Sequence, residues 1–180
     1  MDNTLKKDLC DFLKDAERIA VVGIGQEYRW DDAAGIIVVE QLFEQFSGGS
    51  APPLNLYDVE FETKYGKLRL YQGYETPESL TGSLRQFLPT HVLFIDAAQL
   101  AREPGTCELV PISEIQGEEI STHNVPLSLL GEFLQKDMGS EVMLLGIQPF
   151  SIGLGEKRTL SPPVERAVGL IAKVLEDVLR

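Results

Sequence analysis

Arg18-Ile19-Ala20-Val21-Val22-Gly23-Ile24 is a short, nearly continuous apolar run that ends at a glycine loop. A strand wetted on one face alternates apolar and polar residues, whereas a strand covered by helices on both faces has no polar side to show. The run therefore predicts a buried strand of a parallel sheet. His91-Val92-Leu93-Phe94-Ile95-Asp96 and the apolar run from Val142 to Ile147 repeat the pattern. Helical spacing fills the intervals. Leu5, Leu9, Phe12, Leu13 and Ala16 mark a first amphipathic helix, and Ile36, Val39, Leu42, Phe43 and Phe46 mark a second over 33–46. Pro77-Glu78 opens a helix running to about Leu88, Asn124 to Met138 reads as another with Pro126 in its first turn, and Ser161-Pro162-Pro163 begins the last, toward Leu179. Weaker strands are expected at Leu54–Val59 and Leu68–Tyr71, and a short edge strand at Cys107–Val110. Helices alternating with buried strands predict a three-layer α/β/α fold with a twisted, mostly parallel central sheet of about five strands.

Composition narrows the function. A chain of 180 residues suits one domain, 1–180, and no repeat or linker divides it. Sixteen Lys and Arg against 28 Asp and Glu give a net charge of −12, which repels phosphate backbones and anionic lipid, so no nucleic-acid partner is expected. No run approaches the roughly 18 apolar residues of a membrane span, and the N-terminal residues lack a secretory signal, so a cytoplasmic chain without membrane insertion is expected. Cys10 and Cys107 stand far apart and in no C-x-x-C spacing, which excludes a disulfide framework and a thiolate zinc site. No long heptad or exposed apolar stripe is evident, and a monomer is the expectation.

In an open parallel sheet, ligands bind beyond the carboxyl ends of the strands. Asp32 follows the first buried strand through the glycine loop, Asp96 closes the strand beginning at His91, and His123 stands just before a helix. Two carboxylates and one imidazole suit a divalent ion of nickel or zinc type with positions left open. The same residues also admit plainer roles: Asp31 or Asp32 as a helix N-cap, Asp96 bonding loop amides, His123 as a satisfied polar side chain. For Asp31 the N-cap is the preferred role and support of the site the alternative. His91, at the amino end of its strand, is expected to be partly exposed and no ligand. Gly23-Ile24-Gly25 lacks the third glycine of a dinucleotide loop, because Tyr28 occupies its place. Glu27, Asp31 and Asp32 would set negative charge against a pyrophosphate, so a nucleotide-binding module is a minor reading. No G-x-S-x-G nucleophile elbow is present.

Four segments taken together resemble the nickel-hydrogenase maturation endopeptidases, especially the branch acting on the large subunit of hydrogenase 3 type enzymes. They are Val22-Gly23-Ile24-Gly25 with Asp31-Asp32-Ala33-Ala34-Gly35, Phe94-Ile95-Asp96-Ala97, Ser121-Thr122-His123-Asn124-Val125-Pro126-Leu127, and Leu145-Gly146-Ile147-Gln148-Pro149. Order and spacing follow the family from about Ile19 to Leu179. The resemblance implies an aspartic-type endopeptidase that removes the C-terminal extension of a nickel-loaded large-subunit precursor. It further implies that Asp32, Asp96 and His123 contact the nickel, which arrives in the substrate rather than as a tightly held metal of the enzyme. The chain departs from the family pattern at Gln26, where asparagine is usual, at Ala33, where glycine is common, and in a longer Asp58–Gly73 region. A noncatalytic nickel- or subunit-binding maturation factor on the same fold is the alternative.

Overall fold

The computed structural model describes residues 2–53, 56, 59–115 and 127–180. Helix α1 (Asp2–Phe12) leads into β1 (Arg18–Ile24), and a 3-10 turn at Trp30–Ala33 enters α2 (Ala34–Phe46). A hairpin of β2 (Glu60–Thr63) and β3 (Gly66–Tyr74) follows, then a 3-10 turn at Pro77–Leu80 and α3 (Thr81–Phe87). Next come β4 (His91–Ala97), β5 (Cys107–Pro111), α4 (Leu127–Met138), β6 (Glu141–Ile147) and α5 (Pro162–Leu179). The strands form one six-stranded sheet in the order β2-β3-β1-β4-β6-β5. Its four inner strands run parallel, while β2 and β5 pair antiparallel at the two edges.

The expected fold class holds, with one strand more than the five expected. The first hairpin strand lies at Glu60–Thr63; of the Leu54–Val59 stretch, Leu56 and Val59 are not in a strand and the other four residues lie outside the described ones. Lys67 and Arg69 explain the register of this hairpin, since both reach Glu60 across it, at 2.6 and 3.1 Å. The edge strand expected at Cys107 and the last helix after Ser161 form where their sequences indicate. For α4, Leu127 to Met138 is helical, and Asn124 to Pro126 lie outside the described residues.

Alternation along the inner strands divides the core in two. Ile19, Val21, Leu93, Ile95, Leu145 and Ile147 face α1, α2 and α5. Ala20, Val22, Val92, Phe94, Val142 and Leu144 face α3 and α4. Each strand thus buries both faces, which is why its sequence is apolar without a break. Helix α2 lies unusually close to the sheet. A Cβ at Gly23 would strike the Gly35 carbonyl, and a Cβ at Gly35 would strike the carbonyls of Ile95 and Ile24. These two glycines set the helix over β1 and β4, and with it the turn that precedes the helix.

His91 differs from expectation. It is buried rather than partly exposed, because α1 covers the amino edge of the sheet and sets the Phe12 ring edge-on to the imidazole at 5.1 Å. Its Nδ1 lies 3.1 Å from Thr90 Oγ1 and its Nε2 3.6 Å from the Glu141 carboxylate. Burial lowers its pKa, and Glu141 offsets that in part.

Candidate active site at the carboxyl edge

Strand β1 ends in a loop that can take only one course. Gly25 has φ +140°, and a Cβ there would collide with the Asp32 carbonyl, so the chain folds back tightly on itself at a residue without a side chain. The loop then forms the Trp30–Ala33 turn, which carries Asp31 and Asp32, both buried. This turn packs against β4. Asp96, fully buried, is the penultimate residue of β4, level with Gly146 of β6. Because β1 and β4 are parallel neighbours, Asp32 and Asp96 share the carboxyl edge of the sheet. By alternation Asp96 belongs with Val92 and Phe94, on the face that α4 covers. The structure thus brings two of the three candidate ligands to one edge. His123 lies outside the described residues, in the segment that leads into α4. Among the described residues there is no group of three or more His, Cys, Asp or Glu side chains suited to a metal ion.

Asp31 does not cap α2. The N-cap position there is Ala33 and carries no side-chain cap bond, because the 3-10 turn intervenes and turns the Asp31 carboxylate away. It accepts four hydrogen bonds elsewhere: Ser161 N–H at 2.7 Å on Oδ1, and Phe150 N–H at 2.8 Å, Ser151 N–H at 3.1 Å and Ser161 Oγ at 2.8 Å on Oδ2. A carboxylate is thereby set at the start of α5, where the helix dipole favours negative charge. The backbone adds Asp31 N–H to Ser151 O at 3.1 Å. Asp31 thus supports the turn that holds Asp32.

Gln148 performs the matching task beyond Asp96. Its Oε1 accepts Leu100 N–H at 2.8 Å and Arg102 N–H at 3.3 Å, and its amide nitrogen donates to Gln99 Oε1 at 3.1 Å and Pro149 O at 3.2 Å. The buried amide therefore organises the loop that leaves β4. Sequence reasoning singled out the Gly146-Ile147-Gln148-Pro149 segment but gave Gln148 no role. It also missed an ionic cluster in which Arg158 meets Glu27 and Glu40. Burial pushes the Glu40 carboxyl up, and Arg158 and Gln72 hold that shift back. Glu27 and Arg158 are 131 residues apart in sequence, and no spacing rule connects them.

Fold and site define an open α/β protein that gathers buried carboxylates at the carboxyl ends of adjacent parallel strands. A family model described as hydrogenase maturation protease (HycI) matches residues 59–178. A putative hydrogenase maturation protease of Methanocaldococcus jannaschii is 31% identical over 177 residues, 97% of this chain and 98% of that protein. The hydrogenase 3 maturation protease of Escherichia coli is 29% identical over 154 residues, 85% of each chain. The crystal structure of a NiFe hydrogenase maturation protease HycI from Thermococcus kodakarensis superposes with a TM-score of 0.78 at 30% identity, covering 96% of this chain and 98% of that one. This chain belongs to the hydrogenase maturation protease family.

Proposed function

We propose that this protein is an endopeptidase that removes the C-terminal extension of a nickel-loaded hydrogenase large-subunit precursor. The observation that carries the reading is the burial of Asp32 and Asp96 together at the carboxyl edge, in a chain of this family. Asp32, Asp96 and His123 are the groups that grip the nickel. Carboxylate oxygens and a neutral imidazole are ordinary ligands of such an ion, and three of them leave positions for the ligands the substrate itself supplies. The metal is substrate cargo, so its arrival acts as a checkpoint: a precursor without nickel offers the site nothing to hold. Gripping the ion fixes the cleavable peptide beside an attacking water, and positioning supplies the main catalytic contribution. A bound divalent ion can polarise the carbonyl, acidify water or orient the strand, and an aspartate can serve as general base. The paired-Asp dyad of pepsin-like enzymes plays no part in this scheme. The enzyme acts as a cytoplasmic monomer that keeps no metal of its own.

The test is to incubate nickel-loaded and nickel-free precursor with the protein and weigh the products by mass spectrometry. Loss of the tail only from the nickel-loaded form is expected, and cleavage without nickel would defeat the checkpoint. Asp96→Asn and His123→Ala should each stop processing while the protein keeps its folded circular dichroism spectrum. Tight precursor binding by the unaltered protein with no cleavage would favour the noncatalytic maturation factor.

A further inference from the structure

The Gly25–Asp32 loop is held at both ends by different chemistry. Asp31 fixes the end next to Asp32, through its bonds to Phe150, Ser151 and Ser161. Arg158 fixes the outer part. Its guanidinium joins Glu27 of the loop to Glu40 of α2, the latter at 2.8 Å, and its own N–H donates to the Glu27 carbonyl at 2.6 Å. Glu40 in turn accepts from Gln72 of β3 at 2.6 Å, so one arginine ties the loop to a helix and, through that helix, to a strand. The backbone of Arg158 is left-handed, with φ +57°, a conformation that a residue bearing a Cβ adopts only where the surrounding bonds hold it. Further rungs cross between the same two segments: Gly155 N–H to Tyr28 O at 2.9 Å, Trp30 Nε1 to Leu154 O at 3.2 Å, and Arg29 Nε to Ile152 O at 3.1 Å. Among the described residues six large apolar side chains are exposed, and Tyr28, Phe150 and Leu154 of these two segments are three of them.

We infer that Arg158 is a positioning residue that locks the 26–31 loop to the 150–158 segment, preforming the rim over which the substrate protein is bound. This rests on the endopeptidase reading above. Loops left free must be ordered when the partner binds, and that ordering is subtracted from affinity. Asp32 keeps its own anchor through Asp31, so loss of Arg158 weakens substrate binding and leaves the chemical step nearly intact.

Arg158→Ala, Arg158→Lys and Glu27→Gln test this with the full-length protein and the nickel-loaded precursor. The alanine variant should raise both the precursor Kd, measured by interferometry, and KM about tenfold, with kcat within about twofold, since ordering a few side chains and a loop is worth that much. Lysine retains the charge and one of the two carboxylate contacts, and should recover affinity to within about threefold of the original protein. Hydrogen exchange should quicken in peptides covering 26–31 and 150–158 and stay unchanged in the interior of α2. A fall in kcat at constant KM, or unaltered exchange in both segments, would overturn the assignment. Glu27→Gln removes a single leg of the cluster and serves if Arg158→Ala does not fold. Exchange and binding do not require turnover, so an original protein that binds but never cuts defeats the endopeptidase reading and leaves the role of Arg158 to be judged by the other measurements.

Discussion

Replacing Asp31 by asparagine removes one oxygen and the charge while leaving the shape of the side chain almost unchanged. In the carboxylate, Oδ2 accepts three hydrogen bonds and Oδ1 accepts one from Ser161 N–H at 2.7 Å. An amide can keep the three only by placing its NH2 group where Oδ1 stood, against the Ser161 N–H, donor facing donor. The variant loses one charge-assisted bond, turns three others into weaker neutral ones and leaves a buried N–H without an acceptor; with charged bonds worth about 1.5–3 kcal/mol and neutral ones about 1, a loss of at least about 3 kcal/mol follows. For a chain of this size that is a fall in Tm of roughly 6–12 °C. Urea titration should show the midpoint falling at constant slope, since the surface exposed on unfolding does not change. Ser161→Ala, which removes only the Oγ bond, should cost about 1–2 kcal/mol, and the double variant should cost less than the sum, because Asp31→Asn has already weakened the bond that Ser161→Ala removes. A melting temperature of Asp31→Asn within about 2 °C of the original protein would refute the claim that this carboxylate clamps the turn.

Three further outcomes follow from the same structure. Gly25→Ala and Gly35→Ala should each destabilise the protein by more than about 2 kcal/mol in urea titration, since the added methyl group meets main-chain carbonyls that cannot retreat. Gln148→Ala strands the Leu100 and Arg102 amides and should cost about 2 kcal/mol and slow precursor cleavage, because the loop beyond Asp96 loses its support. His91 is held neutral by burial, with a pKa below its ordinary 6.5. The unfolded chain then binds the proton more readily, so stability is complete above about pH 6.5 and is lost as pH falls below it, until the depressed folded pKa is passed. Stability curves of His91→Gln should be flatter than those of the original protein below pH 6.5, and identical slopes would remove the histidine from the account.

The parts of the fold that could be read from sequence are those decided by local periodicity. Burial on both faces leaves an unbroken apolar run, so β1, β4 and β6 declared themselves, and with them the carboxyl edge on which Asp32 and Asp96 lie. The Leu68–Tyr71 strand lies within β3, but its hairpin partner β2 went unread because it is a solvent-facing edge strand, Glu-Phe-Glu-Thr, whose register depends on cross-strand charge pairs rather than on apolar content. Asp31 was read as the cap of α2 because an acid before an apolar helix commonly is one. The intervening 3-10 turn, which no residue type announces, sends it instead to Ser161. His91 was placed in partial solvent by its position in β4, since the covering ring, Phe12, belongs to a helix remote in sequence. The Arg158 cluster escaped notice for the same reason: its partners are distant along the chain and meet only once the sheet has brought their loops together.

The bond from Asp31 to Ser161 spans 130 residues. Synthesis proceeds from the N-terminus, so the polypeptide emerging from the ribosome carries Asp31 and Asp32 long before the serine that steadies them has been translated. Until then the acidic turn lacks its Ser161 partner, and a nascent or prematurely terminated chain leaves the Asp31 carboxylate without two of its four bonds. The carboxyl edge is therefore completed only late in synthesis, once the segment carrying Ser161 has emerged.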